Sequence, residues 1–255
     1  MINVIVAGFP GAMGQKVVKM LAQHDDFKLT AIFNPLVTDT DPASYQLASD
    51  VQILTDYAQI HPGLADVWVD FTTPKAVASN ITAALNAGIH PVVGTSGMAA
   101  DDQQRLAALA KAKHIGGLIA PNFGISAVLL MQFAAQAAKY FPDAEVIEMH
   151  HEDKLDAPSG TAKATAEMIA KARVAQPQPT TDDPAHGEKI AGVPVHAVRL
   201  PGYVAHEQVL FGAPGEALTI RQDSFDRESF MSGVAVAIAK VQTLDTLVIG
   251  LEHLL

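Results

Sequence analysis

The sequence predicts an α/β protein in two parts: an N-terminal doubly wound parallel sheet, and a second, α+β domain with a mixed or antiparallel sheet. Three observations carry this. Short β-rich runs alternate with helical stretches as far as Ala120, the pattern of a parallel sheet with crossover helices. An apolar run, Ile2 to Ala7, enters a glycine-rich turn and then a helical stretch. After Asn122 the alternation stops and strands separated by turn signals take over.

Taken in order, the first part reads as a strand at Ile2 to Ala7, a helix at Met13 to His24 and a strand at Lys28 to Asn34. Then come a strand at Val67 to Phe71, a helix at Lys75 to Ala87, a strand at Pro91 to Val93, a helix at Asp101 to His114 and a strand at Gly117 to Ala120. The second part reads as a long helix (Ile125 to Tyr140), a strand (Glu145 to His151), a polar loop and a helix from about Thr161 to Ala172. Strands near Val193 to Arg199, His206 to Phe211 and Ala217 to Gln222 follow, parted by Pro201-Gly202 and Ala213-Pro214-Gly215, which favours an antiparallel meander. Gln176 to Pro184 reads as an exposed loop, and Ser229 to Val241 as an apolar helix.

Composition narrows the function. A chain of 255 residues, 49% hydrophobic, builds one large core or two modest ones. Without cysteine it has no disulfide framework, thiolate zinc site or cysteine nucleophile, as expected of a reducing, cytoplasmic setting. A net charge of -10 with no basic run opposes nucleic acid and anionic lipid as partners. The N-terminal apolar run breaks at Gly8, too early for a signal peptide, and Ala127 to Phe141 is interrupted by Gln132, Gln136 and Lys139, so no membrane span is expected.

The first candidate site is the turn Gly8-Phe9-Pro10-Gly11-Ala12-Met13-Gly14. Glycines allow a pyrophosphate to approach backbone N–H groups, and the following helix start supplies positive potential. Strand, glycine loop and helix in succession predict a Rossmann-type dinucleotide site. The position that often carries an acidic residue for the ribose hydroxyls is Asn34, followed by Pro35; it neither repels a 2′-phosphate nor attracts one, so NADH and NADPH both stay open.

The second candidate is Glu148-Met149-His150-His151-Glu152-Asp153-Lys154-Leu155-Asp156-Ala157-Pro158-Ser159-Gly160-Thr161-Ala162. Ser159, Gly160 and Thr161 stand before a helix expected to begin near Ala162, where hydroxyls, amides and helix dipole favour a carboxylate; Lys154 and His151 are placed to hold a second one. Ser-Gly-Thr is also an ordinary helix cap, and adjacent strand histidines face opposite ways. A metal site is disfavoured, because consecutive strand residues rarely converge on one ion.

On these residues the whole chain resembles the dihydrodipicolinate reductase family, also called 4-hydroxy-tetrahydrodipicolinate reductase. His150-His151, Lys154 and Asp156 to Ala162 match its signature, and Gly8 to Gly14, Asp70 to Pro74, Gly94-Thr95-Ser96-Gly97 and Pro121-Asn122-Phe123-Gly124 match in order. Val198 to Gly202 with His206-Glu207, and Asp226 to Phe230, look like its C-terminal half. Two positions depart from some members, Asn34 where they carry an acid and Gln15 where they carry arginine.

The resemblance implies a dinucleotide-binding domain over residues 1–121, completed by 226–255, and a substrate-binding and oligomerisation domain over 122–225. It implies cofactor contacts at Gly8, Phe9, Pro10, Gly11, Ala12, Met13, Asn34, Gly94, Thr95, Ser96, Pro121, Asn122, Phe123 and Gly124. It implies His150 as proton donor and acceptor, Lys154 as proton donor, and His151, Ser159, Gly160 and Thr161 as substrate contacts. The substrate so implied is a cyclic hydroxy-imine dicarboxylate made from pyruvate and aspartate semialdehyde, which loses water and accepts hydride at ring C4 on the route to lysine and diaminopimelate. A homotetramer is implied as well. With cofactor and substrate on different domains, closure is expected to bring them together, with hinges near Asn122 and Asp226. Two other classes compete: another two-domain NAD(P)-dependent dehydrogenase, and a non-catalytic dinucleotide sensor, which would not need His150, Lys154 and Ser159 to Thr161 together. A thioester-forming aldehyde dehydrogenase is excluded by the missing cysteine.

Overall fold

The computed structural model describes residues 1–175, 177 and 184–255. In chain order its elements are β1 (Ile2–Ala7), α1 (Ala12–Leu21), β2 (Phe27–Phe33), β3 (Gln52–Leu54), β4 (Val67–Asp70), α2 (Val77–Asn86), β5 (His90–Val93), α3 (Ala100–Lys113) and β6 (Gly117–Ile119). Then follow α4 (Ile125–Ala137), β7 (Asp143–His150), α5 (Gly160–Ala172), β8 (Glu188–Ile190), β9 (Val193–Arg199), β10 (Ala205–Ala213), β11 (Glu216–Ser224), α6 (Ser229–Lys240) and β12 (Leu247–Ile249). The chain divides into two compact units, residues 1–123 with 230–255, and residues 124–229.

The first unit holds a seven-stranded sheet in the order β12-β6-β5-β4-β1-β2-β3, and its strand pairs are parallel. Central strands covered on both faces must be apolar throughout. Val4, Ile5, Val6 and Ala7 of β1 are buried, as is Trp68 on β4, which packs 5.2 Å from the Phe33 ring. The strand order reverses between β1 and β4, and ligands of doubly wound sheets bind outside the carboxyl ends of the strands at that switch point. The turn after β1 lies there.

The second unit is built on a five-stranded mixed sheet, β11-β10-β7-β9-β8. Ala134, Ala162 and Ala166 are fully buried small side chains that let α4 and α5 lie close to Val146, Val195, Val209 and Phe211 of the sheet. Burial alternates along β7: Ala144, Val146 and Glu148 face the helices. A charged side chain therefore enters a covered face at the middle strand.

Several expectations need correcting. The strands after β8 do not form a simple meander, because β7 lies between β9 and β10 and pairs in parallel with β9. Three-residue strands β3, β8 and β12 carry too little alternation to stand out in sequence. Helix α5 begins at Gly160, two residues before the expected start, and α4 ends at Ala137. Of the expected loop Gln176 to Pro184, all but Pro177 and Pro184 lies outside the described residues, and Pro184 opens a 3-10 turn, Pro184–His186.

Gly233 on α6 packs so closely on the backbone that an added Cβ would overlap the Phe123 carbonyl. Gly233→Ala should therefore destabilise the protein by about 1–3 kcal/mol, measured by denaturant unfolding.

Candidate functional site

In the first unit, β1 runs into Gly8, whose φ of 96° is in the left-handed region, and a Cβ there would overlap the Phe71 carbonyl just past the end of β4. The Gly8 carbonyl accepts the Gly11 N–H at 2.8 Å, and Cβ atoms at Gly11 and Gly14 would meet that oxygen at 2.7 and 2.8 Å. The three glycines thus let loop, strand end and helix start share one small space. No side chain caps α1 and no acidic residue stands in its first turn, so the positive helix end is left for an anion.

Beside the turn lies a cleft of about 330 Å³ lined by Gly8, Phe9, Pro10, Gly11, Phe33, Asn34, Pro35, Leu36, Phe71, Thr72, Thr73, Ala76 and Asn80. None of these is charged. Asn34 ties the rim together: its amide donates to the Phe9 carbonyl at 2.8 Å and its oxygen accepts the Leu36 N–H at 3.0 Å. Phe9 is buried against Ile32 and Ile53, so its side chain anchors the loop while its backbone faces the cleft. A glycine cradle, an uncapped helix start and a mainly apolar slot fit a dinucleotide's pyrophosphate and rings.

The opposite wall is held by Asp70, fully buried on β4. Its carboxylate accepts from Trp68 Nε1 (3.1 Å), the Thr72 amide (3.1 Å) and hydroxyl (2.7 Å), Asn80 Nδ2 (2.8 Å) and Thr95 Oγ1 (2.8 Å). Thr95 is therefore engaged in fixing the β4 and β5 turns, while Ser96 is exposed. Gly94 packs under the Phe71 ring, which lies 5.8 Å from that of the buried Phe123. Pro121 is exposed, Asn122 half-buried, and Gly124 is the N-cap of α4.

In the second unit, His150 closes β7 two residues after Glu148, on the same face, and its Nδ1 lies 2.5 Å from Glu148 Oε2. Arg199, at the end of β9, donates Nη1 to Glu148 Oε2 and Nη2 to Glu148 Oε1, both at 2.8 Å. Its other N–H groups go to the carbonyls of Val198 (2.7 Å), Asp156 (2.7 Å) and Lys154 (3.3 Å). Every guanidinium donor is used, and the loop carrying Lys154 is fastened to the sheet. Burial works to raise the Glu148 pKa, but bonds from His150, Arg199 and the Ser159 amide (3.0 Å) bring it down to about 2.

Ser159 is buried and caps α5, its Oγ accepting the Ala162 N–H at 3.2 Å. Thr161 is half-buried and Gly160 exposed in the first turn, not ahead of the helix as expected. Lys154 Nζ pairs with Asp156 at 2.6 Å, and the Gly160 amide also bonds that carboxylate, lowering its pKa. A carboxylate of the chain itself thus sits between the ammonium and the helix start. His151, half-exposed, opens the turn, its carbonyl accepting the Lys154 N–H at 3.2 Å.

A second buried carboxyl, Glu207 on β10, stands directly opposite Glu148 in the strand register. Thr165 Oγ1 lies 2.5 Å from Glu207 Oε1 and 3.0 Å from the Thr161 carbonyl. A hydroxyl has one proton for two acceptors, so both contacts are satisfied when Glu207 is protonated and donates to Thr165. Burial first, and the Glu148 charge after it, push the Glu207 pKa up to about 7 against the weaker opposing bond from Thr165.

Sequence reasoning assigned no role to Glu148, Arg199, Glu207 or Thr165, and took Asp70 only as part of a stretch that lines the cofactor cleft in the family it resembles. The one signal present was the two-residue spacing of Glu148 and His150, which puts them on one strand face. The contacts of Arg199 and Glu207 cross from other strands, and no local pattern announces them.

A parallel sheet with a glycine cradle at its switch point, joined in one chain to a unit of acid-base groups around a carboxylate-accepting helix start, defines a dinucleotide-dependent oxidoreductase of small anionic substrates. Residues 2–123 match the family description "Dihydrodipicolinate reductase, N-terminus" and residues 126–255 match "Dihydrodipicolinate reductase, C-terminus". The chain belongs to the dihydrodipicolinate reductase family and is an NAD(P)H-dependent reductase. It is 56% identical over 259 aligned positions to the 4-hydroxy-tetrahydrodipicolinate reductase of Limosilactobacillus fermentum, covering 100% of both chains. It is 55% identical to that of Lactobacillus acidophilus, covering 99% of this chain and 98% of the other. The solved dipicolinate-bound dihydrodipicolinate reductase from Paenisporosarcina sp. TG-14 superposes with a TM-score of 0.90 at 40% identity, covering 100% of each chain. A probable dehydrogenase from Thermotoga maritima, with a TM-score of 0.67 at 12% identity, covering 98% of this chain and 91% of that one, shares the fold alone.

The Glu207 geometry predicts a pH dependence of stability. Its folded pKa of about 7 exceeds the ordinary 4.5, so the folded chain keeps a proton that the unfolded chain releases, and stability falls as pH rises from about 4.5 to 7. Glu207→Gln, which keeps the Thr165 contact without the charge, should raise Tm at pH 8 by several degrees and flatten its fall between pH 5 and 8, read by calorimetry.

Proposed function

We propose that this chain reduces 4-hydroxy-tetrahydrodipicolinate, a cyclic unsaturated dicarboxylate, to tetrahydrodipicolinate in lysine and diaminopimelate synthesis, with NADH or NADPH held by the first unit and substrate by the second. The observation that carries the reading is the Asp156 carboxylate between Lys154 and the α5 N-terminus: the place already accepts the chemical group that the substrate bears twice. Bound at the glycine cradle by Gly8 to Met13, a reduced nicotinamide supplies hydride.

The second unit does the rest. Ser159, Gly160 and Thr161 hold one substrate carboxylate at the helix start, and Lys154 and His151 bring cationic and hydrogen-bonding groups to the other. Hydride addition to a conjugated imine leaves negative charge that must be protonated. His150, with Nδ1 committed to Glu148, delivers or takes that proton at Nε2, and Lys154 is the second donor. Gly94, Thr95, Ser96, Pro121, Asn122, Phe123 and Gly124 complete the cofactor contacts, the first three after β5 and the last four after β6.

We read the enzyme as a cytoplasmic homotetramer assembled through the second sheet. Its edge strand β11 exposes Glu216 to Thr219, and an uncovered edge of this kind calls for a partner. Sedimentation velocity tests the assembly. No helix among the described residues is long and apolar enough to cross a membrane.

Absorbance assays with NADH and NADPH in turn, with substrate generated in place from pyruvate and aspartate semialdehyde by the preceding synthase, test the activity; cofactor binding without oxidation contradicts it. His150→Gln should lower kcat by roughly 10²-fold with cofactor affinity kept. Thr161→Ala should raise KM with little change in Tm, whereas Ser159→Ala, which also removes a cap, should lower Tm.

A further inference from the structure

We infer that Glu148 and Arg199 are positioning residues for the reaction: Glu148 holds His150 in the Nδ1–H tautomer with Nε2 left for substrate, and Arg199 ties that dyad to the loop carrying Lys154. The inference rests on the reading of His150 as the proton-transferring group and adds what sets its state.

The geometry leaves little choice. Glu148 is wholly buried, yet both its oxygens are spoken for: Oε2 by His150 Nδ1 and Arg199 Nη1, Oε1 by Arg199 Nη2 and the Ser159 amide. An ionised carboxylate only accepts, so the Nδ1 of His150 carries a proton in either charge state, and the proton that comes and goes is on Nε2. The same guanidinium bonds the carbonyls of Lys154 and Asp156, so the proton-transfer group and the ammonium-bearing loop are registered to one planar fork. The backbone agrees, since Leu200 donates to the His150 carbonyl at 3.1 Å. The charged groups around the dyad are Arg199 on β9, Glu207 on β10 and the Lys154–Asp156 pair in the loop; of the two buried carboxyls it is Glu148 that bonds His150.

Removing the buried acceptor charge loosens the hold on the Nδ1–H tautomer that leaves Nε2 for substrate. Glu148→Gln retains an oxygen acceptor for Nδ1–H and removes the charge. In it kcat should fall about tenfold with KM for the dinucleotide unchanged. Glu148→Asp, which keeps the charge, should recover most of the lost kcat. Where Glu148→Gln alone does not fold, pairing it with Arg199→Met removes both ends of the buried pair and gives the same readout. Nitrogen-15 spectra of His150 should show the Nδ1–H tautomer in the wild type. A folded, charge-free variant with wild-type kcat and the wild-type tautomer overturns the inference while His150→Gln still loses activity; wild-type kcat in His150→Gln itself overturns the reading beneath it.

Discussion

The second unit turns on one buried carboxylate. Strand alternation carries Glu148 to the covered face of the central strand of its sheet, where an unpaired charge would be untenable. Arg199 meets both its oxygens, and because a guanidinium has more donors than one carboxylate can use, the remainder fasten the backbone of the loop from Lys154 to Asp156. The cost of burying the acid and the placing of the functional loop are thus settled by the same contacts. A buried pair of this kind adds little net stability against an apolar alternative. Its value is in geometry.

The first unit solves a related problem without a cation. Asp70 is as deeply buried as Glu148, but its partners are an indole, an amide, two hydroxyls and a backbone N–H. Those donors belong to β4, the turns after β4 and β5, and α2, so the carboxylate holds the wall of the cleft in place. The side chains that line the cleft, Asn34 among them, are uncharged.

How far the sequence revealed this depends on range. The glycine turn was legible because strand, glycines and helix are consecutive, and β1 to β6 were legible, β3 excepted, because continuous apolar runs and crossover helices alternate. The helix start at Ser159 to Thr161 was legible, although Ser159 proved buried in its capping role. The insertion of β7 between β9 and β10 was not, since no local signal says which strands pair. Nor were Arg199 and Glu207, which meet Glu148 from 51 and 59 residues away in sequence. Asn34 was read for its chemistry toward ribose, and the structure shows it bracing its own loop.

On the function proposed for the chain, these contacts serve one purpose: to hold a dicarboxylate by paired donors while one proton and one hydride are delivered. Titration calorimetry with dipicolinate, in the presence of NADH, tests that claim most directly. The account predicts one site per chain in the wild type, affinity lowered at least tenfold by Lys154→Met, and heat release lost when Thr161→Ala and His151→Gln are combined, with the fold intact by calorimetric melting. Wild-type affinity in all of these variants would contradict it and move the dicarboxylate site away from the segment that Glu148 and Arg199 hold in place.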